Sequence, residues 1–228
     1  MKLLLTSAGI RNPSLREALL DLLGKPIEES RALCIPTAVH PMVDGPVQAH
    51  RFITGITPFS TPMCELGWKS AGVLELTALP SIDRDRWVAS VRAADVLLVN
   101  GGDPLYLNHW MRQSGLADLF PSLDDTVYVG LSAGSMIMAP RIGEDFVRWK
   151  PPAGDDETLG IVDFAIFPHV DHPMLPDNTM AAAGHWAAGM GMACYAIDDE
   201  TAIKVVDGTI EVISEGHWRL FTPGSHEA

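Results

Sequence analysis

The sequence predicts an α/β fold in three layers, with a mostly parallel central sheet, helices on both faces and a small antiparallel hairpin near the C-terminal end. Three observations carry this reading. Short uninterrupted apolar runs, such as Val96-Leu97-Leu98-Val99, have the pattern of strands buried on both faces. Helix-like segments alternate with these runs at a spacing that gives βαβ units with right-handed crossovers. Asp207-Gly208, between apolar runs at 202–206 and 209–213, is a hairpin signal. The 228 residues suffice for one full α/β core, so one domain spanning 1–228 is expected.

Taken in order, residues 2–7 read as the first strand. Asn12-Pro13-Ser14 opens a helix to about Leu23, with Ser14 and Glu17 as a capping box. Residues 32–36 form a second buried strand. Residues 37–65 are rich in Pro, His, Thr and Gly and show no clear period, although a helix around 47–53 fits. Residues 73–76 continue the core, and 83–93 read as a helix with Asp83 at its N-cap. Residues 95–100 form another core strand, which runs into Gly101-Gly102-Asp103-Pro104 and a helix to about Gly115. After residue 140 a polar, Pro/Gly-containing excursion spans 141–157. Residues 159–167 then return to the core, followed by a helix of small residues starting at Asp177 or Asn178. Apolar runs at 192–197 and 218–221 complete the tail, the last as an edge strand.

Composition narrows the function classes. There are 29 acidic residues against 16 Lys plus Arg, a formal net charge of −13, and no basic cluster. Such a chain repels nucleic acid and anionic membranes, so neither is expected as a partner. The N-terminal apolar run is only three leucines long, too short for a signal peptide, and no segment is apolar enough to span a bilayer; a cytoplasmic protein is expected. Cys34, Cys64 and Cys194 are odd in number and far apart, which reads as buried hydrophobes in a reducing compartment. The exposed end strands are compatible with a homodimer. No Gly-x-Gly-x-x-Gly and no P-loop is present, so no nucleotide cofactor is expected.

The chemistry concentrates in Gly130-Leu131-Ser132-Ala133-Gly134, which follows the apolar run Val127-Tyr128-Val129 and precedes a helix-like segment. This is Gly-x-Ser-x-Gly in a strand–turn–helix context. Neighbours without side chains let the backbone bend so that Ser132 stands clear of it. The Ala133 N–H then faces charge developing on a substrate carbonyl, and Gly102, after the preceding strand, is a candidate second oxyanion donor. A serine needs a base. Of eight histidines, His169 ranks first because it directly follows an apolar strand and adjoins Pro168; His172 ranks second. His217 and His226 lie in the tail. The His169-x-Asp171-His172 set could also hold a metal, but no further ligand spacing accompanies it, so none is expected. Asp145, Glu144 and Asp171 are rival candidates for the carboxylate that orients the base.

These pieces resemble the serine peptidases of the dipeptidase E and cyanophycinase family, peptidase family S51. The matching segments are Val99-Asn-Gly-Gly-Asp-Pro-Leu-Tyr-Leu107, Val129-Gly-Leu-Ser-Ala-Gly-Ser135 and the strand ending Phe167-Pro-His169, in the family's order along most of the chain. The resemblance implies a class I glutamine amidotransferase-like fold with a flavodoxin-like core, Ser132 as nucleophile, His169 as base, and Gly102 and Ala133 as oxyanion donors. It also implies a small peptide substrate. Asp103, Asp171 and His172 are candidate substrate-binding residues. Two departures follow. The position of dipeptidase E's third catalytic residue falls here on Val147, so Asp145 or Glu144 must match through a short gap. The stretch that carries that family's carboxylate-reading arginine, residues 178–186 here, contains no Arg or Lys, so specificity for an acidic N-terminal residue is not expected. A serine esterase and a non-catalytic small-molecule binder are the alternatives.

Overall fold

A computed structural model describes residues 1–56, 62–150, 152 and 155–224. The element order is β1 (Lys2–Thr6), α1 (Pro13–Leu23), β2 (Arg31–Ile35), α2 (Gly45–Thr54), β3 (Ser70–Val73), α3 (Arg84–Arg92), β4 (Val96–Val99), α4 (Pro104–Gln113), β5 (Val127–Leu131), α5 (Ala133–Met136), β6 (Phe164–Phe167), α6 (Met180–Met190), β7 (Ala193–Ile197), β8 (Thr201–Val206), β9 (Thr209–Ser214) and β10 (Trp218–Phe221). Parts of the expected 37–65 and 141–157 loops, and His226, lie outside the described residues.

Seven strands form the main sheet in the order β3-β2-β4-β5-β1-β8-β9. The first five are parallel, and β8 and β9 add antiparallel to β1 and to one another. Alternation sorts the apolar strand residues onto two faces. Leu3, Leu5, Leu97, Val99 and Tyr128 pack with Trp87, Val88 and Val91 of α3 and Leu107 and Met111 of α4. Leu4, Val96, Leu98, Val127 and Val129 pack with Leu15, Leu19 and Leu22 of α1 and Phe52 of α2. These are the three layers expected from the sequence. The Asp207-Gly208 turn has φ of 49° and 78°, the left-handed pair that a tight hairpin needs.

Strand β6 departs from expectation. It joins β7 and β10 in a separate three-stranded sheet, parallel to β7, rather than extending the main one. The reason is in its faces. Phe164 and Ile166 enter the main core beside Tyr195 and Ile197, while Ala165 and Phe167 pack with Cys194, Ala196 and the α6 residues Ala183, Trp186 and Met190. The small sheet is thus sandwiched between the main core and α6. Only Asp198, Asp199 and Glu200 separate β7 of one sheet from β8 of the other.

Two caps also differ. Asn12, not Ser14, caps α1, accepting from Leu15 N–H at 2.9 Å, because Pro13 takes the first helical position where no N–H is needed. Thr179, not Asp177 or Asn178, caps α6 through Ala182 N–H at 3.1 Å. Asp83 caps α3 as expected.

Candidate active site

The turn at Ser132 is built locally and under strain. Ser132 has φ 49° and ψ −110°, which a side-chain-bearing residue adopts only when its surroundings enforce it. The enforcement is visible. Ser132 N–H donates to Thr6 O at 3.0 Å, Ser135 Oγ donates to the same carbonyl at 2.7 Å, and Thr6 Oγ1 donates to Gly130 O at 2.7 Å. The buried Tyr128 hydroxyl donates to Gly134 O at 2.7 Å, and burial pushes its pKa well above the ordinary phenol value. Both motif glycines are required by packing. A Cβ on Gly134 would lie 2.5 Å from Val99 O, and one on Gly130 would lie 2.7 Å from the Gly134 carbonyl carbon.

Ser132, Gly101, Gly102 and His169 line one open cleft of about 220 Å³. Gly102 has φ 138°, and a Cβ there would overlap the Ala38 carbonyl, so only glycine fits. Its N–H makes no hydrogen bond among the described residues, whereas the flanking Gly101 N–H goes to Asn100 Oδ1 at 2.9 Å and Asp103 N–H to Ala38 O at 2.8 Å. Ala133 N–H, at the first helical position, lacks an intrahelical acceptor. The two expected oxyanion donors are therefore unengaged among the described residues, one next to Ser132 in the chain and the other on the same cleft.

His169 follows β6 and sits at φ 59°. Its N–H donates to Ser7 Oγ at 2.7 Å, and its Nδ1 lies 2.7 Å from Asp199 Oδ1. Ser7 Oγ in turn donates to Asp199 Oδ1 at 3.1 Å. An ionised carboxylate on Nδ1 fixes the proton there and leaves Nε2 as the basic nitrogen. Burial works to raise the Asp199 pKa, but the hydrogen bond and charge of His169, the Ser7 hydroxyl and the charge of His172 outweigh it. The carboxyl is held below its usual range. Arg11 Nη1 reaches Asp199 Oδ2 at 3.1 Å.

The carboxylate on His169 is thus Asp199, and the sequence-based candidates are placed elsewhere. Glu144 and Asp145 fall in a short 3₁₀ turn, Glu144–Phe146, and Asp145 lines a different cleft with Arg141, His185 and Trp186. Asp171 Oδ1 accepts from Met180 N–H at 3.1 Å and its Oδ2 lies 2.9 Å from His217 Nε2, so it secures the loop after His169 to α6 and β10. Sequence separation misled here: Asp199 lies thirty residues beyond His169, and only the pairing of β6 with β7 brings their ends together.

Two expected substrate-binding residues serve the scaffold. Asp103 caps α4 through Tyr106 N–H at 2.9 Å, and its second oxygen accepts from Trp149 N–H at 2.9 Å. His172 accepts from Met174 N–H at Nδ1 and places Nε2 3.5 Å from Asp199 Oδ2, so it supports the acid. His217, in the tail, has a supporting place too. It lies 3.0 Å from Asp198 Oδ2 and its N–H donates to that oxygen at 2.7 Å, while Asp198 Oδ1 accepts from Glu200 N–H and the Thr201 hydroxyl. These bonds fix the turn that carries Asp199. The cysteines are buried and free, and burial pushes the Cys194 thiol up to about 12, which leaves it protonated. Among the described residues no group of three or more His, Cys, Asp or Glu side chains is placed to hold a metal ion, and no helix is long and apolar enough to cross a membrane.

Comparison with known proteins gives the family and the fold. Over 83 residues the chain is 32% identical to an uncharacterised peptidase of Pasteurella multocida (strain Pm70), a match covering 33% of this chain and 39% of that protein. Among solved structures, a protein assigned as a peptidase E from Listeria monocytogenes EGD-e superposes with a TM-score of 0.64 at 17% identity, covering 94% of this chain and 98% of that one. A peptidase from an acI-B1 Actinobacterium superposes with a TM-score of 0.64 at 19% identity, covering 98% and 95%. At these identities the structural likeness establishes the fold. The model of peptidase family S51 matches residues 3–213, nearly the whole chain and every element described above from β1 to β9. By that match, the chain with Ser132 on its strained turn and His169 on the same cleft belongs to peptidase family S51.

Proposed function

We propose that the chain is a serine peptidase that cleaves short peptides through an acyl-enzyme, with Ser132, His169 and Asp199 as its triad. The observation that carries this reading is the joint placement of a strained, half-buried Ser132 and a carboxylate-bound His169 on one cleft. His169 Nε2 takes the Ser132 hydroxyl proton as Oγ attacks the peptide carbonyl. The oxyanion is held by the Gly102 and Ala133 N–H groups. Collapse of the adduct breaks the C–N bond, and His169 returns the proton to the leaving amine. Water, deprotonated by the same nitrogen, then releases the acid and regenerates Ser132. Asp199 keeps the imidazole in the required tautomer and stabilises its charged form. A cleft of about 220 Å³ is small beside the ~300–1,000 Å³ usual for drug-sized ligands, which favours one or two residues over a folded chain.

The test is a dipeptide-library screen at neutral pH, together with fluorophosphonate labelling, on wild type and Ser132→Ala. Cleavage and labelling that both fall by about 10³-fold or more in the variant are expected. Full activity in the variant would sink the assignment. Labelling of Ser132 with no dipeptide cleaved would redirect it to esters or to longer peptides.

A further inference from the structure

A second cleft, of about 460 Å³, adjoins the Ser132 cleft at Met42 and Gly102, which line both. Its other walls include Pro41, Val43 and a half-buried Trp149, with Arg148 exposed at the rim. Val43 is 88% exposed and Met42 40%. A single exposed apolar side chain needs no explanation, but two beside a tryptophan on one concave surface do.

These walls are built rather than loose. Met42 N–H donates to Val39 O at 3.0 Å and Gly45 N–H to Met42 O at 3.1 Å, which winds residues 39–45 into consecutive turns. Asp44 takes φ 60°, and a Cβ on Gly45 would lie 2.5 Å from Val39 O, so the chain bends sharply and leaves Val43 outside. The Trp149 N–H donates to Asp103 Oδ2 at 2.9 Å, and its ring stands edge-on to Tyr106 with centroids 5.4 Å apart. Asp103, the one carboxylate among the described residues of this cleft, gives its other oxygen to Tyr106 N–H. What the cleft offers a ligand is apolar contact.

We infer that this second cleft takes the side chain on the acyl side of the scissile bond and selects a large apolar or aromatic group there, read by Trp149, Met42 and Val43. The inference rests on the peptidase reading above. In that reading the leaving amine meets His169, which lines the first cleft and not the second. The carbonyl oxygen lies on Gly102 N–H, where the clefts join, so the group that passes into the second cleft is on the acyl side. In a dipeptide it is the side chain of the N-terminal residue.

Phe-Ala, Leu-Ala, Ala-Ala and Asp-Ala vary that residue, and Ala-Phe moves the ring to the leaving side. For wild type, Trp149→Ala, Trp149→Phe and Val43→Ser, kcat/KM is measured on each, with thermal melting to confirm folding. Val43 is exposed enough that its replacement spares the fold, so it serves if Trp149→Ala unfolds. Affinity for the same probes is measured calorimetrically in a Ser132→Ala background, which needs no turnover. Wild type is expected to favour Phe-Ala and Leu-Ala over Ala-Ala by about 10- to 100-fold, the worth of burying one such side chain. Trp149→Ala brings that ratio towards one, Val43→Ser lowers it by about two- to fivefold, and Trp149→Phe restores most of it. A wild-type ratio near one, or a ratio that survives both Trp149→Ala and Val43→Ser, overturns the inference while leaving the peptidase reading intact. So does a preference for Asp-Ala over Phe-Ala, or a ring preference shown only by Ala-Phe. Binding that favours Phe-Ala through Trp149, without cleavage of any probe, overturns the peptidase reading and leaves the cleft as a reader of apolar groups.

Discussion

Ser132 stands on a turn shaped mostly by its immediate neighbours, whereas His169 is held by partners far away in the chain. Gly130, Gly134 and Tyr128 lie within four positions of Ser132, with Thr6 of the adjacent strand as the main outside support. His169 depends on Ser7, which follows β1 of the main sheet, and on Asp199, in the link between β7 and β8. One half of the site is a packing device with no slack; the other is a polar network whose members can be removed one at a time. The difference predicts how each half fails. Damage at the turn should appear as lost stability, and damage at the network as lost turnover in a folded protein.

The largest contrast is expected between two aspartates. Asp199→Asn should lower kcat by about 10⁴-fold, as loss of the orienting carboxylate does in a serine triad. Asp145→Asn should leave kcat within about threefold, because an exposed 3₁₀ turn away from His169 carries little of the transition state. Steady-state kinetics on the best dipeptide decides between them, and the reverse ranking would restore the sequence-based assignment. Ser7→Ala comes next. It removes the hydroxyl that bridges the His169 N–H and Asp199, and should reduce kcat by about 10-fold through misplacement of the imidazole. Ser7→Thr restores the hydroxyl, and a kcat recovered with it would separate positioning from simple loss of volume.

At the turn, Gly134→Ala forces a methyl against the Val99 carbonyl and should cost about 1–3 kcal/mol or more in urea unfolding. An unfolding curve that superposes on wild type would mean the backbone there has slack after all. The smallest expected effect is on acid stability. The folded-state pKa of Asp199 is depressed, so its contribution is present above the unfolded value of ~3.9 and is lost as pH falls through the lower folded value. The stability gap between wild type and Asp199→Asn should therefore be steady at neutral pH and narrow below about pH 4. A gap that widens on acidification would reverse the sign of the argument.

The same contrast explains what could be read from the sequence. The Ser132 turn, the buried parallel strands and the glycine pair at Gly101-Gly102 are written in neighbouring residues, where sterics and alternation act locally, and they were legible. His169 was legible because it ends an apolar run beside a proline. Asp199 was not, because nothing in Ile197-Asp198-Asp199-Glu200 distinguishes a carboxylate that will bond His169 from a polar turn between strands. Its role depends on β6 and β7 pairing in a separate sheet, a choice made by side-chain burial on both faces of β6.

The link between β7 and β8 has one more consequence. Three residues join the two sheets, and the middle one, Asp199, holds His169 from the small sheet while accepting from Ser7 of the large one. The bonds that align the His169 ring are therefore also rivets across the seam between the sheets. Any slippage along that seam disarms the enzyme before its core opens, so heat inactivation should run ahead of global melting, with catalysis acting as a strain gauge for the joint.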